Sequence, residues 1–224
     1  GEGSIKYLVE LVDNQRTIKN NKAIFLIDYY FEHKDEFIKK LNIKNTDFIK
    51  YISTEDEPTT DYIDEIVADI KLRKLNPCII IGIGGGSTLD VAKATSILLT
   101  NSGRAADYQG WDLVKNPGIY KIGIPTLSGT GSESTRTCVM TNKKSKLKLG
   151  MNSDYSIFDQ LILDPGLTRT VPRNQYFYSG MDSYIHCIES LNGNYRNQIG
   201  DSYSEQVKIL CKDVFLSDDM KSDE

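Results

Sequence analysis

The stretch Cys78-Ile79-Ile80-Ile81-Gly82-Ile83-Gly84-Gly85-Gly86-Ser87-Thr88-Leu89-Asp90-Val91-Ala92-Lys93-Ala94 joins an apolar run to a glycine turn and then to a helix-forming segment. Cys78–Ile83 reads as a strand covered on both faces, because an unbroken apolar run suits the interior of a parallel sheet. Three successive glycines, 84 to 86, let the backbone pass close to a ligand in conformations that residues with a Cβ resist. The helix that follows then points free N–H groups outward, which makes the turn a pyrophosphate cradle. It differs from the GxGxxG fingerprint, since Ser87 holds the last glycine position and the turn follows the third strand instead of the first. A glycine turn that only packs a helix on a strand is the alternative.

Working outward, Ala23–Ile27 is a second apolar run, ending at Asp28, and Phe48–Ile52 reads as another strand. Between them Phe31–Leu41 is helical, and after Pro58 a helix carries Ile63, Ile66, Val67 and Ile70 on one face as far as Leu75. Ahead of all of these, Ser4 reads as the N-cap of a helix with Ile5, Leu8, Val9 and Val12 on one side. Beyond the cradle helix, Tyr120–Ile124 makes a fourth strand. Strands alternating with helices at this spacing predict an α/β fold with a doubly wound parallel sheet. From about Pro172 the strands stop, and residues 172–193 and 197–215 both read as helices, broken around Gly193. The expectation is an α/β dinucleotide-binding domain over 1–164, followed by the start of an all-helical domain over 165–224. Two helices do not make an independent core, so the helical part reads as incomplete.

Composition excludes several function classes. The 224 residues carry a formal charge of −4 with both signs interspersed, which gives no basic face for nucleic acid. The longest apolar run is far short of the roughly 20 residues needed to cross a bilayer, and the N-terminus has no signal-peptide pattern. No membrane association and a cytoplasmic location are expected. Cys78, Cys138, Cys187 and Cys211 are scattered in apolar surroundings without ligand spacing, so reduced and mostly buried thiols are expected.

Two further places carry chemistry. The loop after the fourth strand, "IPTLSGTGSES", gathers Thr126, Ser128, Thr130, Ser132 and Ser134 around Gly129 and Gly131. Open α/β sheets hold ligands at this carboxyl edge, where Asp28 is also placed to take ribose hydroxyls and repel a 2′-phosphate. An ordinary Gly/Ser loop and a solvated aspartate are the plain alternatives. In "GMDSYIHCIES", 180–190, Asp182 and His186 lie four apart, so in a helix they project from one face and can grip one cation. A mixed carboxylate and imidazole pair suits Fe(II) or Zn(II). Taken alone, such a pair is more often a capped or hydrogen-bonded core pair. His33, the only other histidine, sits in the polar stretch "FEHKDEFIKK" and reads as a solvated surface residue.

"GGGSTLDVAKA" at 84–94, "PTLSGTGSE" at 125–133, "LDPGLTRTVP" at 163–172 and "GMDSYIHCIES" at 180–190 occur in an order and spacing that resemble the iron-containing alcohol dehydrogenases. The resemblance covers essentially the whole chain. It implies a pyrophosphate on Gly84, Gly85, Gly86 and Ser87, with Thr126 and Thr130 lining the cofactor's path and Asp28 favouring NAD over NADP. It also implies Asp182 and His186 as the first two ligands of an iron or zinc ion, with Glu189 on the acidic position that closes the motif. Leu127 departs from the family pattern, which has a second threonine there, and one cofactor hydrogen bond is lost with it. The family's two further histidines fall beyond the counterpart of Glu224. The expectation is therefore a fragment of a longer homo-oligomeric protein, lacking an initial strand and the rest of the helical domain, and inactive alone.

The implied reaction is metal-assisted hydride transfer: the cation lowers the pKa of the substrate hydroxyl while nicotinamide takes the hydride from the same carbon. The substrate implied is a small alcohol or sugar acid. Residues 132–165 and 174–193 look closest to the branch that oxidises C8 of 3-deoxy-manno-octulosonate toward an 8-amino sugar in lipopolysaccharide biosynthesis. Arg136, Lys146, Lys148 and Arg196 are candidates to meet an acidic sugar, and each also reads as a plain surface charge. A dehydroquinate synthase-like cyclase and a non-catalytic nucleotide-binding module are the alternative readings.

Overall fold

A computed structural model of the chain describes residues 1–215. The chain runs α1 (Leu8–Gln15), β1 (Lys22–Asp28), α2 (Asp35–Lys40), β2 (Phe48–Ile52), α3 (Thr60–Leu72), β3 (Pro77–Gly84) and α4 (Gly86–Leu98). It continues through β4 (Gly110–Trp111), β5 (Lys121–Pro125), β6 (Thr137–Asn142), β7 (Leu147–Asn152), β8 (Gln160–Leu161), α5 (Arg173–Asn192) and α6 (Gln198–Phe215). Two compact units result: Gly1–Thr126 with Ser132–Leu167, and Leu127–Gly131 with the chain from Thr168 onward. The polar stretch that ends the sequence lies outside the described residues.

In the first unit a five-stranded parallel sheet has the order β2-β1-β3-β5-β8. Successive side chains of a strand point to opposite faces, and β1 and β3 are apolar at every central position, so both faces need a cover. Ile24, Leu26 and Ile80 join Ile63, Ile66 and Ile70 of α3 and Leu89, Val91 and Ala92 of α4 on one side. Ala23, Phe25, Ile27, Ile79, Ile81 and Ile83 join Leu8 and Val12 of α1 on the other. Each fully buried isoleucine stabilises this arrangement by about 2 kcal/mol, and the doubly covered parallel sheet expected from the sequence follows.

Several local readings are corrected. Ser4 is not an N-cap: it lies inside a 3-10 turn, Ser4–Tyr7, and its hydroxyl donates to the Leu163 carbonyl. The turn is held by Asp164, whose carboxylate accepts from the amides of Gly3 (3.0 Å) and Ile5 (3.1 Å). The helix over 31–41 is shorter, because Tyr29–Phe31 closes as a 3-10 turn on Asp28 before α2 begins. A second sheet was not foreseen: β6 and β7 pair as an antiparallel hairpin, and β4 joins β7. Its inward residues Cys138, Met140 and Met151 pack into the α4 side of the core. Burial pushes the Cys138 thiol up to about 12, so it stays protonated. Cys138, Cys187 and Cys211 are buried and Cys78 half-buried, all as free thiols.

In the second unit α5 and α6 pack together where Gly180 removes a side chain: a Cβ there would lie 2.5 Å from the Phe215 ring. Phe215 also meets Tyr176 at 4.8 Å between ring centroids. Among the described residues no helix is long and apolar enough to cross a membrane.

The buried carboxylate of Asp47 ties α1 to the start of β1. It accepts two bonds from Arg16, each 2.7 Å, and one each from the amides of Ala23 (2.9 Å) and Lys44 (3.0 Å). Burial raises its pKa, but these donors outweigh burial and hold it below the usual carboxylate value. A depressed folded-state pKa gives stability that is present above the unfolded value and lost as the pH falls below about 4. Asp47→Asn is expected to cost about 2 kcal/mol at neutral pH by urea denaturation, with the gap to wild type closing in acid. A gap that stays constant down to about pH 2.5 would contradict this role.

Candidate functional site

Because β1, β3 and β5 are neighbours, their carboxyl ends bring Asp28, Gly84 and Thr126 to one edge of the sheet. Asp28 Oδ1 accepts from the Tyr30 amide at 3.0 Å, and its Oδ2 faces the hydroxyls of Thr54 (3.4 Å) and Thr88 (3.5 Å). A Cβ at Gly84 would come within 2.7 Å of Thr88 and 2.9 Å of the Asp28 side chain. Glycine at 84 is thus what lets the turn lie against Asp28. Gly85 is the N-cap of α4, and no side chain caps the helix, so the first-turn amides are open to an anion. Ser87 is half-buried beside them. The cradle residues, Asp28 and Thr126 are brought together, and the Thr126 amide donates to the Gly84 carbonyl at 3.0 Å.

The hydroxyl loop is divided. Thr126 is buried and Thr130 exposed, but Ser132 turns inward, and its hydroxyl donates to Asp90 Oδ1 at 2.6 Å. Asp90 and Lys93, one turn apart on α4, are the charged residues that sequence reasoning passed over. Lys93 is wholly buried and donates to the Thr135 carbonyl (3.1 Å) and hydroxyl (3.2 Å) and to the Thr137 carbonyl (2.9 Å). Burial pushes Asp90 up and Lys93 down, each opposed by the other's charge. Their signal in the sequence is an acid and a base three apart in a helix with no other charge.

In the helical unit Asp182 and His186 stand on one face of α5. His186 Nδ1 lies 3.7 Å from Asp182 Oδ2, and both side chains are about half exposed, at 55% and 45%. They are neither buried nor hydrogen-bonded to each other, so the pair is not a core contact. One carboxylate oxygen and one ring nitrogen at this spacing fit two positions of a divalent ion's shell. Among the described residues no group of three or more His, Cys, Asp and Glu side chains is placed to hold a metal. Glu189 is exposed on the same helix. In the same unit Ser183, beside Asp182, donates to the Gly129 carbonyl at 3.0 Å. Gly129 itself lies where a Cβ would be 2.5 Å from the Ser179 carbonyl.

His33 is exposed. Of the cationic candidates, Arg136 pairs with Asp112 and Asp154, Lys148 with Glu57 and Arg196 with Asp201, while Lys146 is exposed in the hairpin turn.

Comparison with known proteins bears on this geometry. The family model for iron-containing alcohol dehydrogenases matches residues 1–165. Sulfoacetaldehyde reductase of Bilophila wadsworthia is 34% identical over 213 residues, covering 94% of this chain and 54% of that protein. NAD-dependent methanol dehydrogenase of Bacillus methanolicus is 27% identical over 216 residues, covering 95% of this chain and 55% of that protein. Among solved structures, sulfoacetaldehyde reductase from Bifidobacterium kashiwanohense in complex with NAD+ superposes with a TM-score of 0.77 at 25% identity, covering 94% of this chain and 55% of that one. The chain spans about half the length of the curated relatives it matches. With a family match over most of its length and a doubly covered parallel sheet opening into an uncapped glycine turn, the chain belongs to the iron-containing alcohol dehydrogenase family.

Proposed function

We propose that this chain is part of an NAD-linked, metal-dependent oxidoreductase that interconverts an alcohol and its carbonyl form. Residues 1–164 serve as its dinucleotide-binding domain and 165–224 as the first helices of its metal and substrate domain. The observation that carries the reading is the uncapped first turn of α4, lying behind Gly84 with Asp28 on the adjoining strand. Gly84, Gly85, Gly86 and Ser87 bind the pyrophosphate through backbone amides, which need no side chain and favour negative charge. Asp28, oriented by Tyr30, Thr54 and Thr88, takes the ribose hydroxyls and disfavours a 2′-phosphate. Thr126 and Thr130 line the path toward the nicotinamide. Asp182 and His186 supply two ligands to Fe(II) or Zn(II). When bound, nicotinamide exchanges the hydride and the cation acidifies the substrate hydroxyl.

The substrate proposed is a primary alcohol, in its narrower form C8 of 3-deoxy-manno-octulosonate. What supports the narrower form is the likeness of residues 132–165 and 174–193 to that branch. The curated relatives include a sulfoacetaldehyde reductase and a methanol dehydrogenase. Comparing kcat/KM of the full-length protein on this sugar acid and on short alcohols decides the matter, and a preference for the short alcohols would remove the sugar acid.

Gly85 has φ −78° and ψ −174°, which any residue can adopt, so a side chain there brings no backbone strain. Gly85→Val is expected to abolish NADH fluorescence enhancement and leave the circular dichroism spectrum unchanged; undiminished binding would remove the loop from the site. For the metal, His186→Ala in the full-length protein is expected to lose most of its iron or zinc by elemental analysis. Stoichiometric metal in that variant would sink the assignment.

A further inference from the structure

Asp90 and Lys93 sit in the wholly buried stretch of α4, the helix that the cradle opens, and no step of the proposed chemistry uses them. Asp90 is 8% exposed and Lys93 0%. Burying charge is costly, and apolar residues would pack a helix at least as well, so packing alone does not account for the pair. What the pair adds is direction. Asp90 accepts from the Ser132 hydroxyl (2.6 Å) and the Val139 amide (2.9 Å), and Lys93 donates to Thr135 and Thr137. Lys93 Nζ also lies 3.8 Å from Asp90 Oδ1. Every hydrogen-bond partner outside the pair thus belongs to one short run, Ser132–Val139, where the chain leaves the loop after β5. The entry to that loop is fixed separately, by the Thr126 amide on the Gly84 carbonyl.

The strand order gives this anchoring a place along the ligand. With the ribose on Asp28 at β1 and the pyrophosphate on the turn after β3, a dinucleotide lying along the carboxyl edge extends its nicotinamide half toward β5 and the loop beyond it. Resting on the NAD reading above, we infer that Asp90 and Lys93 are positioning residues that hold the loop after β5 for the nicotinamide half of the dinucleotide. Neither touches the cofactor. They act through Ser132, Thr135 and Thr137, and the adenosine half, held by Asp28 and the cradle, does not depend on them.

Calorimetric titration of the chain with NADH and, separately, with ADP tests this, since ADP carries the adenosine and two phosphates but no nicotinamide. Two variants are compared with wild type. Ser132→Ala removes one hydroxyl from the anchor, and Asp90→Asn/Lys93→Met removes both charges together, so that neither is left buried and unpaired. The expected result is NADH affinity about tenfold weaker in the double variant, a smaller loss in Ser132→Ala, and ADP affinity within about twofold of wild type. If the double variant does not fold by circular dichroism, Ser132→Ala decides. Equal losses for NADH and ADP would make the pair a general packing feature and overturn the inference, as would unchanged NADH affinity. If wild type binds neither ligand, it is the dinucleotide reading itself that fails.

Discussion

The closeness of α4 to β3 is the constraint on which the α/β unit depends. A Cβ at Gly82 would lie 2.7 Å from the Ala92 side chain, and one at Gly84 would strike Thr88 and Asp28. Only a strand without side chains at these two positions lets the helix start directly behind the carboxyl end of the sheet. That approach aims the uncapped amides of the first turn at the edge where Asp28 and Thr126 also end. Asp90 and Lys93 lie in the buried stretch of α4, so their charges must find partners within the fold. The edge where those amides meet Asp28 and Thr126, and the polar interior, share this cause.

How much of this was legible in the sequence follows from the strength of each local signal. Apolar runs such as Ala23–Ile27 and Cys78–Ile83 cannot be solvent-exposed, and their alternation with helical segments leaves a parallel sheet as the simplest arrangement. The hairpin of β6 and β7 gives little local signal because its strands are half polar, and Lys143 to Lys146 between them carries no glycine turn signature. In the sequence Ser132 is one of a row of loop hydroxyls. Its burial against Asp90 is a long-range contact, 42 residues apart, which no local pattern announces.

The helical unit shows the same division. Its two helices and the spacing of Asp182 and His186 are local properties, and both are present in α5 and α6. The closeness of the two helices depends instead on Gly180 receiving Phe215 from 35 residues along the chain, and sequence periodicity says nothing about that pairing. The Asp/His pair stands on a half-exposed face, 3.7 Å apart, and is not a satisfied core contact. That distinction needed coordinates, since the four-residue spacing is common to exposed and core pairs.

The central claim is that a dinucleotide lies along the carboxyl edge of β1, β3 and β5 with its pyrophosphate on the glycine turn. A crystal structure of the chain grown with NADH measures this directly. The expected density places phosphate oxygens within hydrogen-bonding distance of the amides that open α4, and a ribose beside Asp28. A dinucleotide bound elsewhere, with the turn from Gly84 to Ser87 free of phosphate, would contradict it.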